Sequence, residues 1–412
     1  MQLSAHPHPA IIRHRRALRV AITVSLASAT VLVAAAPVHA ATSYTFANVA
    51  DSAELNMDPA AFGCAGINNS GQVAFRAGRF APDGFNTIPG IYRANVNGTV
   101  SVIAENGRRY GFIGFNPSMN DRGVVSFAAN IDGGAADDFE AILVGAGGNK
   151  VSTIADTRGQ FNFFGFDTSI NNRREVAFKA ELDTFDEGLF SGTRAGAITT
   201  HYLNSTSDFG GTDSRPSIND RGKIAFEETI DFQPGIFAGQ EGQFQTVLPP
   251  AEDVSVSEPV LNNGGLTAFS RSFSDGDEFV FEIDTATANG TPTPVADTRG
   301  PFSGFGFRPP ALNNNGEVAF LAILDDFVTE GIFVGPDPVA DKVISTTETL
   351  AGDTISSLRF CEEGVNDSGQ LTFIATLEDP VTLEPHTAVF RATPAPWLHG
   401  PHGPQSADPA LP

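Results

Sequence analysis

The sequence predicts an all-β fold: a seven-bladed β-propeller of four-stranded antiparallel blades, its ring closed by an N-terminal strand. Three observations carry this expectation. A motif of Asn-x-x-Gly followed by a small residue and Phe recurs seven times, as INNSGQVAF (Ile67–Phe75), MNDRGVVSF (Met119–Phe127), INNRREVAF (Ile170–Phe178), INDRGKIAF (Ile218–Phe226), LNNGGLTAF (Leu261–Phe269), LNNNGEVAF (Leu312–Phe320) and VNDSGQLTF (Val365–Phe373). The leading residues are Asn68, Asn120, Asn171, Asn219, Asn262, Asn313 and Asn366, so the spacings are 52, 51, 48, 43, 51 and 53 residues. Each unit holds four strand-like segments, and one segment of the fourth kind stands alone before the first repeat.

Residues 1–40 read as a secretory signal peptide. Arg13, Arg15, Arg16 and Arg19 make a basic start, Val20–Ala36 is apolar, and Val38-His39-Ala40 offers small residues before cleavage at Ala41. Arg15-Arg16 also admits a twin-arginine reading. The mature chain is then exported to the periplasm, the cell surface or the medium, with no further span. Residues 41–393 form the propeller.

Within each unit the first strand leads into the Asn, and the second is the VAF-like segment. The third reads like Gly331–Val334 (GIFV) and the fourth like Val151–Asp156 (VSTIAD). The orphan Tyr44–Asp51 (YTFANVAD) is of the fourth type, and the last repeat ends on a third strand, Thr387–Arg391. Pairing the two completes seven blades and leaves no open sheet edge, whereas an open array would need capping repeats.

The motif residues have structural roles. Asn bonds its own turn backbone, and Gly supplies a positive φ. The third repeat has Arg174 at the Gly position, so its turn is expected to be strained or built differently. The Ala, Ser or Thr before each Phe lets the next blade approach, while Phe fills the wedge between blades. Cys64 and Cys361 occupy near-equivalent positions in the first and last repeats. In a closed ring those repeats are neighbours, which makes the pair a disulfide candidate in an oxidising compartment; two buried free thiols are the alternative.

Formal charge is −23; the four arginines of the leader leave 21 bases against 48 acids beyond it. Such a surface lacks the basic footprint that nucleic acid requires. The candidate binding face carries the loops between second and third strands, with Asp138, Asp186, Asp231, Asp277 and Asp326, and the blade-to-blade loops, with Arg158 and Arg299. Both of these arginines stand in ADTRG segments. Carboxylates, arginines and phenylalanines on one face suit a polysaccharide, a protein partner or Ca²⁺, although no Asp-x-Asx-x-Asx-Gly calcium loop is present and no other cofactor is expected. Beyond the leader the histidines are His201, His386, His399 and His402, too few for a multi-histidine metal site and poor material for a nucleophilic triad.

The seven motif copies resemble the exported bacterial NxxGxxAF tandem-repeat, or "choice-of-anchor", proteins over about residues 44–392. The resemblance implies a surface location and no established activity. Members often end in an anchoring segment, whereas residues 394–412 here read as a Pro-rich tail. The expectation is therefore a binding or scaffold module. The alternatives are a polysaccharide-active enzyme using carboxylates and a structural matrix component.

Overall fold

The computed structural model describes residues 42–395, apart from 85, 108, 133–137, 149, 205–214 and 307. The expected leader and nearly all of the expected tail lie outside the described residues.

Seven antiparallel sheets are present, one for each motif. Blade 1 shows the plan, in the order Ala65–Ile67, Val73–Phe80, Thr87–Ala94 and Val100–Glu105 from the channel outward. In blade 7 the outermost strand is Tyr44–Asp51. It runs antiparallel to Pro385–Pro394, with Tyr44 opposite Pro394 and Asp51 opposite Ala388. The first and last described strands thus share one sheet, and the ring closes as the orphan strand implied. Cys64 and Cys361, 297 residues apart in sequence, are bonded across the same junction between blades 1 and 7.

Seven hydrophobic clusters fill the seven wedges. The motif phenylalanines and the small residues before them are buried throughout. Ala74 of blade 1 packs in the cluster that holds Phe127 of blade 2, and Ala225 of blade 4 in the cluster that holds Phe269 of blade 5. A fully buried Phe contributes about 1.5–3 kcal/mol, so the repeated pair of small residue and Phe is the main adhesive between blades. Five motif phenylalanines also pack on a third-strand aromatic, stacked as in Phe75 on Tyr92 or tilted as in Phe226 on Phe237. Blades 2 and 5 depart from this, with Leu143 opposite Phe127 in blade 2 and a polar group in blade 5. There Phe269 faces a fully buried Asp284, which pairs with Arg271 at 2.6 Å.

Among the described residues no helix is long and apolar enough to cross a membrane.

Candidate functional site

The central channel has two mouths built on different rules. At one, each motif Asn uses both ends of its amide. Asn68 Oδ1 accepts the backbone N–H groups of Ser70 and Gln72, which holds the turn. Its Nδ2 donates to the backbone carbonyl of Asn120 in the next blade at 3.2 Å. The donation then passes from Asn120 to Asn171, Asn219, Asn262, Asn313 and Asn366, and from Asn366 back to Asn68 at 2.9 Å. The ring of seven bonds is closed. The role within the turn was legible from the sequence, but the bond between blades was not.

The residue after each Asn forms a second ring: Asn69, Asp121, Asn172, Asp220, Asn263, Asn314 and Asp367. Each side-chain Oδ1 accepts the backbone N–H of the equivalent residue one blade back, from Asp121 accepting Asn69 round to Asn69 accepting Asp367. No two acids are adjacent. Asn172 Nδ2, for example, donates to both Asp121 and Asp220. With carboxylates and amides engaged in this way, the rings serve closure.

Deeper in the channel lies a layer that varies from blade to blade. Four residues before each motif Asn stand Cys64, Asn116, Asp167, Arg215, Glu258, Pro309 and Glu362. Arg215 is buried at the centre. Its backbone N–H donates to Glu258 Oε1 and its Nε to the Thr168 carbonyl, both at 2.9 Å. Its guanidinium reaches Glu362 and Glu363. Burial opposes the Arg215 charge, but Glu362, Glu363, Asp167 and Glu258 together hold its pKa above the ordinary value. Desolvation pushes the Glu258 carboxyl up to about 8, and it also raises Asp167 and Glu363. The channel is plugged by an Arg–carboxylate cluster that is part protonated at neutral pH. Sequence reasoning missed this layer. Its signal was the variation in charge at one fixed offset from an unvarying Asn.

The second mouth opens beside the loops between second and third strands. A cavity of about 240 Å³ is lined there by Phe115, Asn116, Gly165, Phe166, Asp167, Lys179, Arg215 and Arg308. Phe115, Phe112, Phe166 and Phe163 run edge to face across blades 2 and 3, with centroids 5.2 to 6.0 Å apart. Arg76 lies over the Phe115 ring at 4.5 Å.

The residues singled out from the sequence occupy the rim of this face, one acid to a blade. Asp326 builds its own turn, accepting the N–H groups of Val328 and Thr329. Asp186 accepts the Thr184 hydroxyl at 2.7 Å. Asp231 sits in a two-residue hairpin turn, Asp277 in the exposed turn after Gly276, and Asp138 at an exposed strand entry. Arg158 pairs with Asp156 at 2.7 Å and covers Phe139 at 3.8 Å. Arg299 spans Asp275, Glu282 and Asp297. Both arginines are held by acids of their own blade, in half-exposed pairs of small energy except where Arg299 meets the buried Glu282.

Neither described histidine forms a triad. His201 contacts Ser191 Oγ, which itself donates to Glu175, so the hydroxyl lies between the other two and is fully buried. His386 lies between Asp51 and Asp353. Among the described residues one trio is close enough to share an ion, Cys64, Cys361 and Glu362, and both its sulfurs are spent in the disulfide.

No curated protein matches the chain. Among solved structures, Pyrococcus horikoshii acylaminoacyl peptidase (uncomplexed) is 9% identical with a TM-score of 0.46, covering 77% of this chain and 49% of that one. Polysaccharide lyase Uly1 is 8% identical with a TM-score of 0.47, covering 80% and 89%. Prolyl oligopeptidase B from Galerina marginata, as its S577A mutant, is 10% identical with a TM-score of 0.45, covering 77% and 47%. The chain thus spans about half the length of the peptidases, and likenesses at this level assign it no activity. A family of unknown function, DUF7453, matches residues 67–398.

Proposed function

The chain belongs to that family, a membership that brings no activity with it, and we propose that it is an exported binding module presenting its loop face to a partner outside the cytoplasm. The signal-like leader supports export, and a disulfide across the ring junction suits an oxidising compartment.

One observation carries the choice of face. Phe185, Phe232, Phe327 and Leu383 stand on the loops between second and third strands of blades 3, 4, 6 and 7, and they are 65% to 97% exposed. All four have φ between +59° and +66°, the left-handed region that favours glycine. A bulky residue there costs about 1 kcal/mol relative to Gly, and an exposed ring gains nothing from folding. Asp231 and Phe232, both at positive φ, form a two-residue hairpin of the kind usually closed by Asp-Gly. Strain and exposure repeated on four blades of one face fit a contact surface.

A photo-crosslinking residue in place of Phe232, compared with one at Val96 on the opposite face, tests this in the producing cells. A discrete adduct from position 232 and none from 96 is expected. Equal labelling from both, or none from either, would sink the proposal. A second reading, a carboxylate-dependent polysaccharide-active enzyme, rests on Asp167, whose raised pKa and place in the cavity wall suit proton transfer. The other channel carboxylates, Glu258, Glu362 and Glu363, are committed to Arg215, so the cavity offers one such group where hydrolysis needs two.

A further inference from the structure

Charge is inverted at the hub of the loop face. The rim is acidic, yet Arg76, Arg359 and Arg308 gather round the channel mouth. Among the described residues none of the three makes an ion pair. Arg76 donates to the Ala61 carbonyl, Arg359 to the adjacent Phe62 carbonyl, and Arg308 to Asn116 Oδ1. Arg76 Nε is buried without a hydrogen-bond partner. Burial, and then the charge of Arg308, holds the Arg359 guanidinium below its usual range. Arg308 and Arg359 repel each other; Asp167 in the cavity wall acts on Arg308, but among the described residues no acid pairs with Arg359, which leaves a place for an anion beside it.

The surroundings narrow the kind of anion. Arg76 covers the Phe115 ring, whereas Phe166, 40% exposed, is too open for an enclosed apolar pocket and suits a flat face that stacks. The cavity beside them, about 240 Å³, takes one ring-sized group. Asn116 and Asp167 in its wall offer donors and acceptors for hydroxyls. The acidic rim disfavours a polyanion lying across the face, so the site suits one negative group entering along the channel axis.

We propose that this mouth binds a saccharide terminus bearing a single carboxylate, a uronate, with its carboxylate on Arg308 and Arg359 and its ring face on Phe166. The assignment rests on the loop face being the binding face. It is read at the hub, whereas the crosslinking experiment reads the rim, so the two fail separately. Glucuronate, glucose and benzoate are titrated against the whole chain by ligand-observed NMR, and against Arg308→Ala and Phe166→Ala variants whose melting points are checked first. Glucuronate is expected to bind about tenfold more tightly than glucose, and Arg308→Ala to remove that preference while leaving glucose unchanged. Phe166→Ala is expected to weaken both sugars. Equal binding of glucose and glucuronate, a preference that survives Arg308→Ala, or benzoate binding as tightly as glucuronate would each overturn the proposal.

Discussion

The two mouths of the channel are made from the same seven inner strands, a few residues apart, and they obey opposite rules. At the Asn mouth every blade contributes the same two positions, and their polar atoms are consumed in bonds to neighbouring blades. Towards the loop mouth the contributions vary from blade to blade: aromatics, single acids, prolines, arginines. Closing a ring requires each joint to fit the next, which repetition supplies. A ligand site requires asymmetry, which repetition would forbid. The boundary between the two regimes falls at the Arg215 layer.

Breaking closure should have the largest effect. A chain beginning at Ser52 loses the strand that pairs with Pro385–Pro394 and leaves blade 7 with an open edge. Its melting midpoint should fall by ~10 °C or more, with loss of a single cooperative transition in calorimetry. An unchanged, single transition would mean that the Asn rings and the disulfide close the ring without it.

Next in size is the boundary layer. Arg215→Met removes the central cation from among Asp167, Glu258, Glu362 and Glu363 and leaves them facing one another, which should cost about 3–5 kcal/mol in denaturant melts. The loss should shrink at low pH, where the carboxyls take up protons. A pH-independent loss would mean that packing, not charge, is what Arg215 provides.

Glu258 gives a subtler pH signature. Its folded pKa of about 8 lies above the ordinary 4.5, so the folded chain holds a proton that the unfolded chain has released. That contribution is complete below pH 4.5 and is lost as pH rises through 8. Glu228 and Asp284 act in the same direction with values of about 7 and about 6, so the window that belongs to Glu258 lies above theirs. Glu258→Gln keeps an acceptor for the Arg215 N–H and should flatten the decline of stability between pH 7 and 8. An undiminished decline would place the titrating group elsewhere.

The same division explains what could be read from the chain. Blade count, strand order and closure were legible because the Asn-x-x-Gly frame and the Phe wedge recur, and repetition is visible in a single sequence. The acids at the loop tips were visible too, though not that one of them, Asp326, builds its own turn. The Arg215 cluster and the Arg308–Arg359 pair were not legible. Their members come from blades 3 to 7, far apart in the chain, and only the radius of the ring brings them together. Positive φ at Phe232 was hidden for a different reason: a residue disfavoured by its turn looks like any other phenylalanine until the turn is seen.

The smallest predicted effects compare the two mouths most sharply, because each has a side chain where glycine belongs. Arg174 takes φ +65°, just below the 70° to 89° span of the glycines at equivalent turns, and its N–H still reaches the Asn171 carbonyl at 3.0 Å. Of the two expected outcomes, strain or a different construction, the structure shows the first: the same turn carried at positive φ. Phe232 takes the same φ on the opposite face. Arg174→Gly and Phe232→Gly should each stabilise the protein by about 0.5–1 kcal/mol, since the backbone relief is the same, less the entropy gained by the unfolded chain. Their consequences for partners should differ. Arg174→Gly should leave crosslinking from a probe at Phe327 unchanged, because its turn only joins blades. Phe232→Gly should weaken that crosslinking, because it removes one exposed ring from the contact surface. If both substitutions stabilise and neither alters the adduct, the apolar tips are tolerated strain rather than recognition, and the asymmetry of the loop face narrows to its basic hub.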